Sequence, residues 1–172
     1  MEITIFKDIK DTAQPFYRDV SKILERIQEG ASQDIVRSIR VEKDKEIRNK
    51  LKQSLPAICF SGKFSKRNDS SLLEHSGLIC LDFDNFPTEK LLLEQKEFLT
   101  KDKYTYSVFI SPSGLGLKAL VKIPAEGDTH KQFFNSLQLH YDSEYFDIAC
   151  KNVSRVCYES YDPLIFINEQ SS

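Results

Sequence analysis

Ser76-Gly77-Leu78-Ile79-Cys80-Leu81-Asp82-Phe83-Asp84 is the stretch on which the fold turns. Leu78 to Asp84 is an apolar run broken only by acids near its end. A Ser-Gly turn precedes it and Pro87 follows, so it reads as a buried strand. Successive side chains of a strand point to opposite faces of its sheet. Ile79, Leu81 and Phe83 therefore share one face, and Cys80, Asp82 and Asp84 share the other. Two carboxylates so placed repel each other, and a divalent cation is the usual remedy. Mg²⁺ and Mn²⁺ take oxygen ligands and suit such a pair. Taken alone, the pair also reads as a solvated strand end.

Downstream, Pro87 suits the start of a helix that continues through Leu91 and Leu92 to Leu99,. Tyr104–Ser111 and Leu117–Ile123 read as two further strands, joined by the turn Pro112-Ser113-Gly114-Leu115-Gly116. Asp128 can cap a helix running to about Tyr141, and Ser154–Ser160 reads as a fourth strand. The order β-α-β-β-α-β is that of a ferredoxin- or RRM-like α+β core. Its sheet order would be 4-1-3-2, with one apolar face under two helices and the other, polar face uncovered. Upstream, Glu2–Phe6 reads as a strand. Gln14–Glu29 reads as a helix with an apolar stripe at Phe16, Val20, Ile23, Leu24 and Ile27, closed by Gly30. Two short helices between Ile35 and Leu51 and a strand at Ala57–Phe60 complete an N-terminal α/β part. We read the chain as one domain, 1–172, with that part over 1–70 and the core over 71–168.

Strand parity brings distant polar residues together. Lys118, in the third strand, is expected beside Asp82 and Asp84 on one side. Arg155 and the approach segment holding Asp147 are expected on the other. The loop Ser111-Pro112-Ser113-Gly114-Leu115-Gly116-Leu117-Lys118 supplies glycines that let backbone approach an anion, and hydroxyls and a lysine that can hold phosphate oxygens,. It also reads as a plain hairpin loop, and it lacks Walker A spacing. Arg155 suits either a phosphate or the two acids. His130 and His140 with Cys150 and Cys157 match no structural zinc spacing.

The chain has 172 residues, 40% hydrophobic and 29% charged, the balance of a globular protein of one domain,. No apolar run approaches a membrane span, and Met1–Lys7 lacks the pattern of an export signal, so a cytoplasmic protein without membrane contact is expected. Four cysteines without a CxxC pair are expected as free thiols. The net charge of −2 hides an asymmetry: residues 1–70 carry 15 basic and 11 acidic side chains, residues 71–172 carry 9 and 15. Within the basic stretch, Arg37, Arg40, Lys63, Lys66 and Arg67 are the candidate nucleic-acid contacts. Glu42, Asp44 and Glu46 mark much of the remainder as a solvated helix face.

Ser76–Asp84, Ser111–Lys118 and the stretch from Phe146-Asp147 through Arg155 to Tyr161-Asp162-Pro163 together resemble the VirE-type N-terminal domain of the archaeo-eukaryotic primase (primase-polymerase) superfamily. Leu55-Pro56 and Phe60–Phe64 extend the resemblance upstream. It implies that Asp82, Asp84 and Asp147 are catalytic and hold Mg²⁺ or Mn²⁺, and that Ser111, Ser113, Gly114, Gly116, Lys118 and Arg155 bind an NTP or dNTP. Two-metal transfer of a nucleotide to a 3′-hydroxyl would follow, on a single-stranded or primed DNA template lying across the basic N-terminal part. The setting implied is replication of a mobile element, plasmid or phage, with a helicase domain or protein as partner. Lys118 stands where that superfamily commonly has histidine. The departure opens two alternatives: a non-catalytic nucleic-acid-binding module, or a metal-dependent nuclease.

Overall fold

The computed structural model describes residues 1–172, an α+β fold of three small antiparallel sheets and five helices. In the N-terminal part, β1 (Glu2–Phe6) pairs with β2 (Phe16–Asp19) on one side. On the other side it pairs with β3 (Ala57–Cys59). Asp19 caps α1 (Val20–Glu29), its carboxylate accepting the Ser21 N–H at 2.9 Å, and Gly30 closes it at φ 87°,. The helix thus begins later than its apolar stripe suggested, and Phe16 lies half exposed on β2. Two short helices follow as expected, α2 (Gln33–Val41) and α3 (Lys45–Lys52), the second capped by Asp44. A hairpin of β4 (Gly62–Phe64) and β5 (Leu72–His75) leads into the central strand.

That strand is β6 (Leu78–Phe83), followed by α4 (Glu89–Thr100), β7 (Thr105–Ile110) and β8 (Leu117–Lys122). Then come α5 (His130–Tyr141), β9 (Cys157–Tyr158) and β10 (Phe166–Ile167). Thr88 caps α4 through the Leu91 N–H. Asp128 does not cap α5; it lies in a 3₁₀ turn, Gly127–Thr129, that leads into the helix. Where that turn meets the β4–β5 hairpin, His75 Nε2 and His130 Nδ1 lie 3.0 Å apart, both buried. Since the Gly77 N–H donates to His75 Nδ1 at 3.0 Å, His75 carries its proton on Nε2 and donates it to His130,.

The sheet order is β10-β7-β8-β6, not the 4-1-3-2 of a ferredoxin-like core. The fourth strand expected beside β6 shrinks to β9, which pairs with β3 in the N-terminal sheet. Glu159 explains the departure. Fully buried, it accepts hydrogen bonds from Arg26 Nε (2.7 Å) and Nη2 (3.0 Å) and from Ser32 Oγ, while its own N–H donates to Pro56 O. These contacts fasten residues 157–159 to the N-terminal part. Beside β6 runs only a single antiparallel bridge, Phe83 to Phe146.

Two cores flank the sheet. Ile79, Leu81 and Phe83 pack with Leu92 and Leu99 of α4 and with Phe134, Leu137 and Tyr141 of α5, as parity predicted. The opposite face is not uncovered. Leu78, Cys80, Phe109 and Leu120 pack there against Ile3 and Ile58 of the first sheet and Val20, Ile23, Leu24 and Ile27 of α1. Strict alternation fails once: a register shift between Thr105 and Ser107 sends Tyr106 to the same core as Phe109, with Val108 on the other,. No helix is long and apolar enough to cross a membrane. All four cysteines are free and buried.

Candidate active site

The site forms where β6 ends. Asp82 and Lys118 are direct cross-strand partners in the β6–β8 ladder, and the Lys118 ammonium pairs with Asp82 Oδ2. Both side chains are largely buried, 12% and 9% exposed. Burial alone would lower the Lys118 pKa. Asp82, followed by Cys157, Cys80 and Asp84, outweighs it, so the pKa rises and the lysine stays charged,.

On the free side of β6, residues 145–147 run alongside. The Asp84 N–H donates to Tyr145 O at 2.8 Å, and the Asp147 N–H to Asp82 O at 2.9 Å. This brings Asp147 to the acidic pair, as expected, through a bridging segment rather than a full strand. The Cys150 thiol donates to Asp147 Oδ2 (3.1 Å) and Asp82 Oδ2 (3.4 Å) and so ties the two carboxylates together. Burial, with Asp82 and Asp147 nearby, pushes the Cys150 pKa well up and keeps it a thiol. Ligand atoms of Asp82, Asp147 and Cys150 lie within 4.8 Å of one another; Asp84 stands outside this group. Two carboxylates suit Mg²⁺ or Mn²⁺, and the sulfur would suit a softer ion.

Burial raises the Asp84 pKa; Lys118 counters it, and Asp82 and Asp147 add to it. Burial would also raise Asp147, but the Ala149 N–H, the Cys150 thiol, Arg155 and Lys118 together hold it below the usual carboxylate value. The Asp84 carboxylate rests against Gly116, where a Cβ would meet Asp84 Oδ1 at 2.4 Å.

Asp82 and Asp84 form one wall of a cavity of about 190 Å³, whose other walls include Lys118, Ser111, Ser113 and Arg155. The Ser111 and Ser113 hydroxyls are 3.1 Å apart. Gly114, at φ 75°, turns the loop against the Arg40 side chain. A second hollow, of about 510 Å³, adjoins across Asp84 and is lined by Asn85, Pro87, Tyr145, Asp147 and Ile148 among others.

The five basic candidates do not gather at this cavity. Arg40 Nη2 donates to Ser111 O (3.2 Å) and Tyr161 O (2.8 Å), bracing the loop. The Arg37 guanidinium stands 5.8 Å from the centre of the Tyr161 ring. Lys63 pairs with Glu2 (3.0 Å) and Glu74 (3.5 Å), and Arg67 donates to Ile9 O at 2.8 Å. Lys66 is exposed. Two residues join the site beyond those chosen from sequence: Cys150, and Lys52, which lines the cavity from the end of α3. Burial, with Arg48 beside it, lowers the Lys52 pKa.

No curated protein and no solved structure matches the chain. Residues 50–166 match a family described as BT4734-like, N-terminal domain. This match overturns the resemblance to the VirE-type N-terminal domain of the primase-polymerase superfamily, since the family matched is a different one and no primase family matches. Spanning the β6 strand, the loop of Ser111 and Ser113 and the Asp147–Arg155 segment, the match is to most of the chain, which belongs to the BT4734-like N-terminal domain family.

Proposed function

We propose that the cavity binds the phosphate chain of an NTP or dNTP, and that the protein transfers the nucleotide to the 3′-hydroxyl of a DNA strand. The observation that carries this reading is the meeting of two opposite chemistries in one small space. Asp82 and Asp84 face Lys118, Arg155 and the two serine hydroxyls around about 190 Å³, with Asp147 just beyond. Ligand pockets that enclose a whole small molecule usually run from about 300 Å³ upward. The cavity therefore suits the phosphates, and the adjoining hollow across Asp84 suits the rest of the reactants.

In this reading Ser111 Oγ, Ser113 Oγ and Arg155 donate hydrogen bonds to phosphate oxygens, and Lys118 offsets their charge. The 3′-oxygen gives up its proton to water and forms a bond to the α-phosphorus, and the bond from that phosphorus to the departing pyrophosphate breaks. Asp84, shared by both hollows, lies where the two reactants would meet. Mg²⁺ or Mn²⁺ held by Asp82 and Asp147, with Asp84 reaching it from the cavity wall, would supply charge neutralisation and a more acidic attacking hydroxyl,.

The test is Mn²⁺-dependent incorporation of labelled nucleotide on single-stranded and primed DNA. Asp84→Ala and Asp147→Ala are expected to lower incorporation at least a hundredfold while keeping a cooperative melt. No incorporation by the wild-type chain, or undiminished incorporation by both variants, overturns the reading. DNA shortened in place of being extended would point to a nuclease. A binding-only role has one observation in its favour: the Lys118–Asp82 pair already satisfies one of the acids. Breaking a buried pair by removing one partner costs about 3–5 kcal/mol, so an incoming cation would have to compensate Asp82 as well as Lys118 does.

A further inference from the structure

We propose that Lys52 and Arg155 form a clamp for the end of the phosphate chain, an oxyanion site that works without metal and joins the N-terminal part to the β6 sheet. The proposal deepens the phosphate half of the reading above and rests on it for the identity of the natural ligand. Three cations and two carboxylates line the cavity. Lys118 and Asp82 neutralise each other, which leaves Lys52 and Arg155 against Asp84. None of the ion pairs in the structure engages Lys52 or Arg155. The side chains lining the cavity therefore carry a positive excess and two cations outside any salt bridge, with Asp84 as their nearest lining acid and the Ser111 and Ser113 hydroxyls as neutral donors beside them. Its volume equals that of about six waters, room for linked phosphates and little else.

The backbone that carries each cation is fixed from outside the cavity, with Lys52 half-buried and Arg155 exposed. Lys52 ends α3, and the neighbouring Leu51 packs on the cluster of Val36, Ile39 and Leu55. Arg155 follows a turn that Asp69 fixes by accepting hydrogen bonds from Ser154 N (3.0 Å) and Ser154 Oγ (2.6 Å). Such preorganisation lowers the ordering cost of binding a small anion. A lysine from the N-terminal part thus completes a site otherwise built by the β6 sheet and the segment after α5.

The experiment is calorimetric titration of the full chain with inorganic pyrophosphate in EDTA. The wild-type chain is expected to bind. Lys52→Gln and Arg155→Gln are each expected to weaken binding tenfold or more, the scale of one charge-assisted hydrogen bond. Lys50→Gln, at an exposed position on the same helix, controls for overall charge and is expected to change little. Asp84→Asn is expected to tighten binding severalfold, because it removes the uncompensated negative charge. Thermal melts establish that each variant is folded. Absence of pyrophosphate binding, a Lys52→Gln variant that behaves like Lys50→Gln, or weaker binding by Asp84→Asn overturns the clamp. With metal removed, the result is independent of nucleotide transfer. A chain that holds pyrophosphate through these two cations yet incorporates no nucleotide keeps the clamp and loses the transfer reading.

Discussion

A methyl group on Gly116 would sit 2.4 Å from Asp84 Oδ1 and 2.7 Å from the Phe83 carbonyl oxygen. The carboxylate can swing away, but the carbonyl belongs to the last rung of β6 and cannot yield cheaply. Gly116→Ala is therefore expected to destabilise the fold by about 1–3 kcal/mol and to move Asp84, abolishing Mn²⁺-dependent nucleotide binding. A denaturant melt and a nucleotide titration with and without Mn²⁺ measure the two effects. At this scale the sequence is legible where chemistry and spacing coincide. Asp82, Asp84 and Lys118 follow from alternation alone, and the structure pairs Asp82 with Lys118 in register. In the sequence Gly116 reads as room for an anion, whereas the atoms that crowd it belong to Asp84, Phe83 and Ser111. Lys52 was lost among the many basic residues of its stretch, since nothing in helical periodicity separates a lysine facing a cavity from one facing water. Cys150 follows Asp147 by three residues, and that spacing was the one available hint that its thiol would reach the same carboxylates.

Among elements, the junction of the β4–β5 hairpin with α5 carries a pH response. Burial, with His75 adjacent, lowers the His130 pKa from 6.5 to about 4, and burial lowers His75 as well. A histidine whose native pKa lies below its unfolded value takes up protons more readily when unfolded, so acid favours unfolding. Stability from this pair is fully present above pH 6.5 and is lost as pH falls from there through about 4. For His130 alone the loss amounts to about 3 kcal/mol. His130→Asn keeps an acceptor for the His75 Nε2–H and removes the titration. Chemical denaturation at stepped pH is expected to show a smaller stability loss across that window in the variant; equal losses would assign the acid sensitivity elsewhere. Elements themselves were readable where one face is apolar and the other is not, as in β6 and β8. The sequence misled where long-range polar contacts override local pattern. Glu159 draws the expected fourth strand to Arg26 and Ser32, and a bulge near Tyr106 breaks the parity of β7.

For the whole molecule, the N-terminal part is the second wall of the sheet. Ile3, Val20, Ile23, Leu24 and Ile27 bury themselves against Leu78, Phe109 and Leu120. The family match begins at residue 50, beyond β1, β2, α1 and α2. A chain starting at residue 50 would expose that apolar face and leave Glu159 without Arg26 and Ser32. It is expected to lose cooperative unfolding and to bind a hydrophobic dye such as ANS. A sharp melt and fixed near-ultraviolet dichroism in the shortened chain would mean that the sheet stands without its second wall. This arrangement was hidden in the sequence because the polar residues of β6 sit at its end. Alternation alone could not reveal that Leu78 and Cys80, on the same face, meet a partner layer.

The seam along the outer edge of β6 has a mechanical consequence. A ladder of six paired residues fastens this strand to β8. Asp147 is moored to it by one backbone bridge, its two flanking amide contacts, the Cys150 thiol and the packing of Phe146 against Phe83 and Phe134. Parting Asp82 from Asp147 would thus have to break that bridge, the thiol contacts and part of the aromatic core, although the ladder itself lies on the other side of β6.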